Sequence, residues 1–403
     1  MFRLYKNKIT HTLSTLVLAI FSANVAAIEP APISFSGITL TPTLSVSEEY
    51  DDNVRNSPAT NNNASISSWV TRIAPNFVLK AEDRLNIYQL TYGLTRENVT
   101  SSHDDSHTDH HAEVITHLEF DVRNRLDLYA NYSEAKARTD STNNVNGETG
   151  NESTTYSAGA RYSYGTDTSK GQLEFGTQYG RLEYDNNFDT GSVTRERERD
   201  VFDLDVTFLY RMTAKTQALA EVQYHDYDYQ SSTSLLDGNS QIYRLGVKWE
   251  ATAKTTGEFR IGMEEKEFDL SSRASVTNPS WYLAATWAPR TYSVFTLSSN
   301  SSIDEGSATE NHIESTVTNL TWDHAWSEYV SSDINYSYSN KEYFGDSNNG
   351  REDDIDSINL GMSYKLKRWL DVGVYYKYTD TESNDAASVY DRNLVGMTVD
   401  LSL

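Results

Sequence analysis

The stretch RWLDVGVYYKYTD, residues 368–380, places Leu370, Val372, Val374, Tyr376 and Tyr378 on one parity. Asp371, Gly373, Tyr375, Lys377 and Thr379 fall on the other. Successive side chains of a strand point to opposite faces, so this stretch reads as a strand with one apolar and one polar face. The same alternation recurs over 112–121, 126–133, 156–164, 202–211, 217–224, 242–249 and 358–365. Residues 84–97 and 291–301 alternate less regularly and are assigned as strands by context. A long sheet with one apolar face needs something to cover that face. Stretches of helical period are nearly absent beyond the first 27 residues, so no amphipathic helix is on hand.

The connections narrow the choice. Short ones fall at 81–83, 123–124, 166–170, 213–215, 251–254, 289–291, 324–327 and 366–368. Between them lie long polar ones at 53–66, 98–108, 138–152, 186–197, 229–239, 270–279, 302–310, 341–353 and 381–387. Strict turn-taking between short and long is the mark of an up-and-down barrel threaded from one side of a membrane, with tight periplasmic turns and longer outside loops. Counting segments predicts about 18 antiparallel strands, each longer than the roughly 9–11 residues needed to cross a bilayer. The fold class expected is therefore all-β, a transmembrane antiparallel barrel. Lipid covers the apolar face, and closure removes the strand edges that hydrocarbon does not tolerate.

The N-terminus supports an exported protein. Arg3, Lys6 and Lys8 precede the apolar run Leu13–Phe21, and Val25 and Ala27 supply small residues for cleavage after Ala27. Residues 1–27 read as a cleaved secretory signal, leaving 28–403 as one barrel domain. Cleavage removes three of the 34 Lys and Arg and none of the 58 Asp and Glu, making the formal charge of −24 more negative by three. So acidic a chain is repelled by nucleic acid. It has no Cys, which excludes a disulfide framework. Mean hydropathy is −0.61, as fits a barrel in which only every second residue meets lipid.

Trp249, Trp287, Trp322, Trp326 and Trp369 all sit beside short turns, whereas Trp69 and Trp281 sit near long connections. Indole rings favour the membrane–water interface, so the five read as a periplasmic aromatic girdle. The opposite parity supplies the lumen-lining candidates: Arg72, Lys80, Glu119, Asp127, Arg161, Glu174, Asp203, Asp205, Glu221, Arg244, Lys248, Arg260, Glu264, Asp333, Lys365, Asp371 and Lys377. Both signs are present. Such a wall, with Tyr129 and Tyr375, suits hydroxyl-rich chains, or else its charges pair across strands to hold the wall.

The segments ITLTPTLSVSEEYDDNV (38–54), SSWVTRIAPNFVLKAEDRLNIYQLTYG (67–93) and YDRNLVGMTVDLSL (390–403) resemble the beta-barrel porin type 2 family of outer-membrane proteins. The resemblance spans essentially the mature chain. It implies residence in the outer membrane of a Gram-negative bacterium and companionship with exopolysaccharide or capsule export. Against the terminal pattern read by the barrel-assembly machinery, Gly396, Val399, Leu401 and Leu403 stand as the assembly signal, with Leu394 replacing a polar residue and Leu403 an aromatic.

Other clusters read as plain surface. His103, Asp104, Asp105, His107, Asp109, His110 and His111 are metal-capable, but the run reads as a solvated outside loop, and no metal or cofactor is expected. EEYDDN (48–53) and REDDID (351–356) read as an acidic rim, and RERERD (195–200) as charges alternating along a strand top. No spacing singles out a nucleophile with its base, so no enzyme is expected. The leading reading, drawn from the resemblance, is a passage or accessory component for extracellular or capsular polysaccharide export. The alternatives are a general diffusion porin for small solutes and a plugged barrel acting as a surface interaction protein. Expected partners are outer-membrane lipid and lipopolysaccharide, the barrel-assembly machinery, polysaccharide and periplasmic export components.

Overall fold

A computed structural model describes residues 32–58, 65–137, 150–166, 168–186, 194–271, 273–306, 311–345 and 350–402. The expected signal segment 1–27 and Leu403 lie outside the described residues. The strands are β1 (Ile33–Phe35), β2 (Ile38–Asp51), β3 (Ser68–Asp83), β4 (Asn86–Val99), β5 (His107–Glu119), β6 (Asn124–Lys136), β7 (Glu152–Tyr164), β8 (Gly171–Tyr184), β9 (Arg199–Thr213) and β10 (Thr216–Tyr229). They continue as β11 (Gly238–Thr252), β12 (Thr255–Phe268), β13 (Val276–Arg290), β14 (Ser293–Glu305), β15 (His312–Ala325), β16 (Val330–Phe344), β17 (Arg351–Lys367), β18 (Leu370–Ser383) and β19 (Tyr390–Ser402).

From β2 to β19 each strand pairs antiparallel with its chain neighbours, and β19 pairs back onto β2 from Leu394–Asp51 to Ser402–Thr43. The sheet is thus a closed 18-stranded up-and-down barrel with one extra strand. That extra strand, β1, has a physical reason. The last β19 pair reaches only Thr43, which leaves Ile38–Leu40 of β2 without a partner on that side. β1 folds back and fills the gap, pairing Ile33 with Leu40 and Phe35 with Ile38. Ser36 and Gly37 make the turn with φ of 51° and 86°, the left-handed pair that a tight hairpin needs.

The two faces separate as the parity predicts. On β18, Val374 and Tyr376 are exposed outward while Asp371 is buried inward. Outward positions carry Ile73, Phe77 and Leu79 on β3, Leu245 on β11, Ile261 and Met263 on β12, Met362 on β17 and Met397 on β19, all exposed. In water such a belt would be a large unsatisfied apolar surface; acyl chains cover it. The buried apolar clusters are small and lie at the long-connection end: Val54, Val70 and Val99 in one, Tyr227, Tyr229 and Leu236 in the other.

The connections alternate, but strand tops run further than the sequence pattern indicates. β16 ends at Phe344 and β17 starts at Arg351, so all of REDDID is strand, not loop. His107, His110 and His111 lie on β5, and only His103–Asp105 form a short 3₁₀ turn. In RERERD, Thr194–Arg197 form a 3₁₀ turn and β9 begins only at Arg199. Above the membrane an alternation of polar residues with polar residues looks like a loop, yet the backbone ladder continues through it. At the short-turn end, Asp121 accepts from the backbone N–H of Arg123 (2.7 Å) and from the side chain of Asn124 (2.7 Å). These bonds hold its carboxyl below the usual carboxylate range.

Aromatic residues mark both edges of the belt. Trp287, Phe295 and Trp322 stack in a row, with centroids 5.2 and 5.7 Å apart, and Trp322, His324 and Trp326 continue it. Trp249 leans over Gly257 of the next strand, and Trp369 lies in the turn before β18. At the opposite edge an outward tyrosine ring appears that the tryptophan count does not reveal. Tyr132, Tyr224 and Tyr338 donate to Glu134 (2.9 Å), Asp226 (3.2 Å) and Asp354 (2.6 Å), and Tyr336 donates to Asp356.

Candidate functional site: the inner wall

Register places every charged lumen candidate named above on the inward parity, because each pairs in sequence of strands with another inward residue. The structure draws most of them into three groups.

The first group lies beside the closure of the barrel. Arg72 on β3 makes a two-pronged contact with Glu49 on β2 (3.0 and 3.1 Å) and bonds Glu97 on β4 (2.7 and 2.9 Å). Tyr375 on β18 donates to Glu49 at 2.7 Å, reaching across β19. It can do so because Gly396 sits between; a Cβ there would collide with the phenol ring. The same fit recurs where Tyr129 lies over Gly159. Glu49 and Asp51 belong to EEYDDN, read above as a solvated rim; Glu49 is 1% exposed and Asp51 0%. Asp51 is bonded by Arg392 of β19. Their burial follows from parity, which continues from Ser45 and Ser47 into the acidic run.

The second group spans β5 to β10. His117 bonds Asp127 (2.6 Å) and approaches Glu119 (3.5 Å). Arg161 grips Asp205 with two bonds of 2.9 Å over Gly176, with Glu174 at 3.8 Å. Asp203 accepts from Gln178 (3.2 Å) and pairs with His225 (2.6 Å). The third group spans β10 to β14. Arg260 pairs with Glu221 and Glu258, Arg244 bonds the Ser280 hydroxyl (2.5 and 3.0 Å), and Ser240 donates to Glu264 (2.9 Å). Lys266 of β12 pairs with Glu305 of β14, which also accepts from Tyr229 (2.6 Å).

Other candidates stand apart from these groups. Lys248 is in register between Gln217 and Glu258, and Lys377 between Asn359 and Leu394. Asp333 faces Asp323, and Asp371 lies in register between Lys365 and Asp400. Of the assembly-signal residues, Gly396 faces inward while Val399 and Leu401 face outward on the lipid row of β19. Among the described residues no group of three or more His, Asp or Glu is placed to hold a metal ion.

Two rows within the wall between β13 and β18 are chemically different, with charge returning at Lys377 of β18 beside Asn359. One register row reads Thr286, Thr296, Thr321, Asn335, Asn359. The next reads Ser298, Asn319, Ser337, Ser357, Thr379. Each of these side chains carries both donor and acceptor capacity and no charge. Asn335 donates to Thr321 (2.9 Å), and Ser357 meets Thr379 (3.3 Å). Sequence parity alone did not single this track out, since Ser, Thr and Asn are common in every loop; the signal is their continuity across five strands once register is known.

No functionally curated protein matches the chain. Solved structures that resemble it include OpdK from Pseudomonas aeruginosa with vanillate, at 12% identity and a TM-score of 0.48, covering 90% of this chain and 98% of that one. OccAB4 from Acinetobacter baumannii gives 9% and 0.47, covering 90% and 98%. The siderophore receptor PirA from Pseudomonas aeruginosa gives 10% and 0.44, covering 90% and 80%. At these values the likenesses say nothing of what passes through this barrel. The family described as "Putative beta-barrel porin 2" matches residues 26–403, and the chain belongs to that family.

Proposed function

We propose that this outer-membrane porin-like barrel is a passage for uncharged, hydroxyl-rich chains, and that its cargo in a Gram-negative cell is an extracellular or capsular polysaccharide on its way out. The observation that carries the reading is the neutral track. Along β2 to β12 inward cations such as Arg72, Arg161 and Arg260 pair with carboxylates, whereas two adjacent rows present hydroxyls and amides, one from β13 to β17 and the next from β14 to β18. A sugar chain offers many weak donors and acceptors and no single strong charge, so a ladder of the same kind lets it bind and slide. An 18-stranded barrel is wide enough to leave an aqueous interior.

Two measurements test this. Vesicles holding the purified protein should swell faster in neutral oligosaccharides than in anionic sugars of equal size. Deleting the gene should lower secreted polysaccharide. Equal rates for both solutes favour a general diffusion porin. Absence of both flux and current favours a closed barrel that acts at the surface.

A further inference from the structure

At its long-connection end the wall has a weak seam. The β13–β14 ladder runs from Arg290–Ser293 up to Tyr282–Asn300 and stops. Above that row β13 continues from Trp281 to Val276, paired only with β12 as far as Lys266–Val276. β14 continues from Ser301 to Glu305, paired only with β15 as far as Glu305–His312. Every other seam is laddered to the long-connection end of one of its strands or to within three residues of it; the furthest short is β5–β6, which stops at His110–Glu134.

The two flaps overlap instead of meeting edge to edge. The top of β14 leans to the lumen side of β12 and β13. There the Ile303 N–H donates to Glu264 of β12 at 3.2 Å, and Glu305 reaches Lys266 and Tyr229. The Lys266 and Glu305 side chains are 1% and 4% exposed, a buried latch. Side chains replace backbone elsewhere along the seam. Ser301 donates to the Pro279 carbonyl (3.0 Å), and the Trp281 indole N–H donates to Ser299 (3.2 Å). Pro279 has no N–H to offer β14.

Height matters. Pro279 is in register with Met263 and Trp281 with Ile261, both outward residues of the apolar belt. The parting therefore begins within the belt, at its outer edge. Unpaired backbone facing hydrocarbon costs several kcal/mol per group. A wall that parts there is held shut between lumen and lipid by bonds that involve side chains.

We infer that the β13–β14 seam is a lateral port between the lumen and the outer leaflet, through which an acyl-chain amphiphile passes with its polar head in the lumen and its tail in lipid, and that Lys266–Glu305 is its latch. The chemistry of the two sides selects that ligand. Release of the latch would bare Arg244, Glu264 and Lys266 on the lumen side, and the outer side offers Ile261, Met263 and Trp281, so a molecule with both characters is at home on both. The inference rests on the barrel's place in the membrane and is independent of the polysaccharide reading.

Hydrogen exchange on the unmodified protein in lipid vesicles gives the first test. Those amides of 301–305 that point away from β15 should exchange about tenfold or more faster than those of 337–341 on β16, which are laddered on both sides. The second test uses the absence of native Cys. Ser302→Cys carries a fluorophore, and the vesicles contain phospholipid brominated near the headgroup. Glu305→Gln, which keeps an acceptor for Tyr229, should raise quenching at least about threefold over the same label with the latch intact, the factor a loss of a charge-assisted contact readily supplies. A label at Ser337 should not respond. Equal exchange at the two sites, or quenching unchanged by Glu305→Gln in folded protein, overturns the port. Exchange needs no variant, so a variant that misfolds does not rescue the idea, and neither readout depends on sugar flux.

Discussion

Replacing Gly396 by alanine tests whether that glycine serves the fold or only the assembly signal. A Cβ at 396 would run into the Tyr375 ring, and Glu49 Cβ lies 3.0 Å away. Backbone on both sides is laddered, so the phenol must leave. Two costs follow: overpacking, about 1–3 kcal/mol, and loss of the Tyr375 bond to the Glu49 carboxylate, about 1.5–3 kcal/mol. Alanine's lower chain entropy offsets about 0.5–1 kcal/mol. Tyr375 is partly open to the lumen, which favours the lower end, and the net expectation is about 2–3 kcal/mol. The assay is urea unfolding of vesicle-inserted protein, followed by tryptophan fluorescence and gel mobility. The deciding comparison is the same substitution in a Tyr375→Ala background, where the seat is empty and Gly396→Ala should cost less than about 0.5 kcal/mol. An equal penalty in both backgrounds would refute the seat and leave Gly396 as a recognition residue alone.

Other outcomes follow from the same wall. Arg161→Met strands Asp205, but with the two side chains 30% and 23% exposed the cost should be only about 1–2 kcal/mol, and Asp205→Asn in the same chain should recover most of it in the same urea titration. Trp322→Ala removes a ring stacked on Phe295 and edge-on to His324 and Trp326; it should lower stability by about 1–3 kcal/mol and slow insertion into vesicles. Val374→Lys, on the lipid face, should cost about 2–4 kcal/mol. Asn359→Lys, on the inner face of β17, should cost less than about 1 kcal/mol yet shift ion selectivity toward anions in bilayer conductance.

What could be read from the sequence was whatever depends on parity and on neighbours along the chain. Leu370 to Thr379 announce their faces one by one, and Trp287, Trp322 and Trp326 mark the short-turn edge without knowledge of register. The rest depends on partners far apart in sequence. Arg392 and Asp51 meet only because the barrel closes. Tyr375 reaches Glu49 only because Gly396 lies between them in space. Lys266 and Glu305 are not register neighbours at all; they meet because β14 leaves β13. β1 is three residues long and exists to cover an edge, so no periodicity could announce it. The strand tops at REDDID and around His107 hid for a different reason. Beyond the membrane neither face needs apolar residues, so the alternation vanishes while the ladder persists.

A spin-label scan along β18 addresses the central claim most directly. Single cysteines at 372 to 379 in vesicle-inserted protein are probed with oxygen, which concentrates in lipid, and with a water-soluble nickel chelate. The account predicts alternation with period two: 372, 374 and 376 favour oxygen, while 373, 375 and 377 favour the chelate. Uniform access along the strand, or the opposite phase, would contradict a barrel with lipid outside and water within.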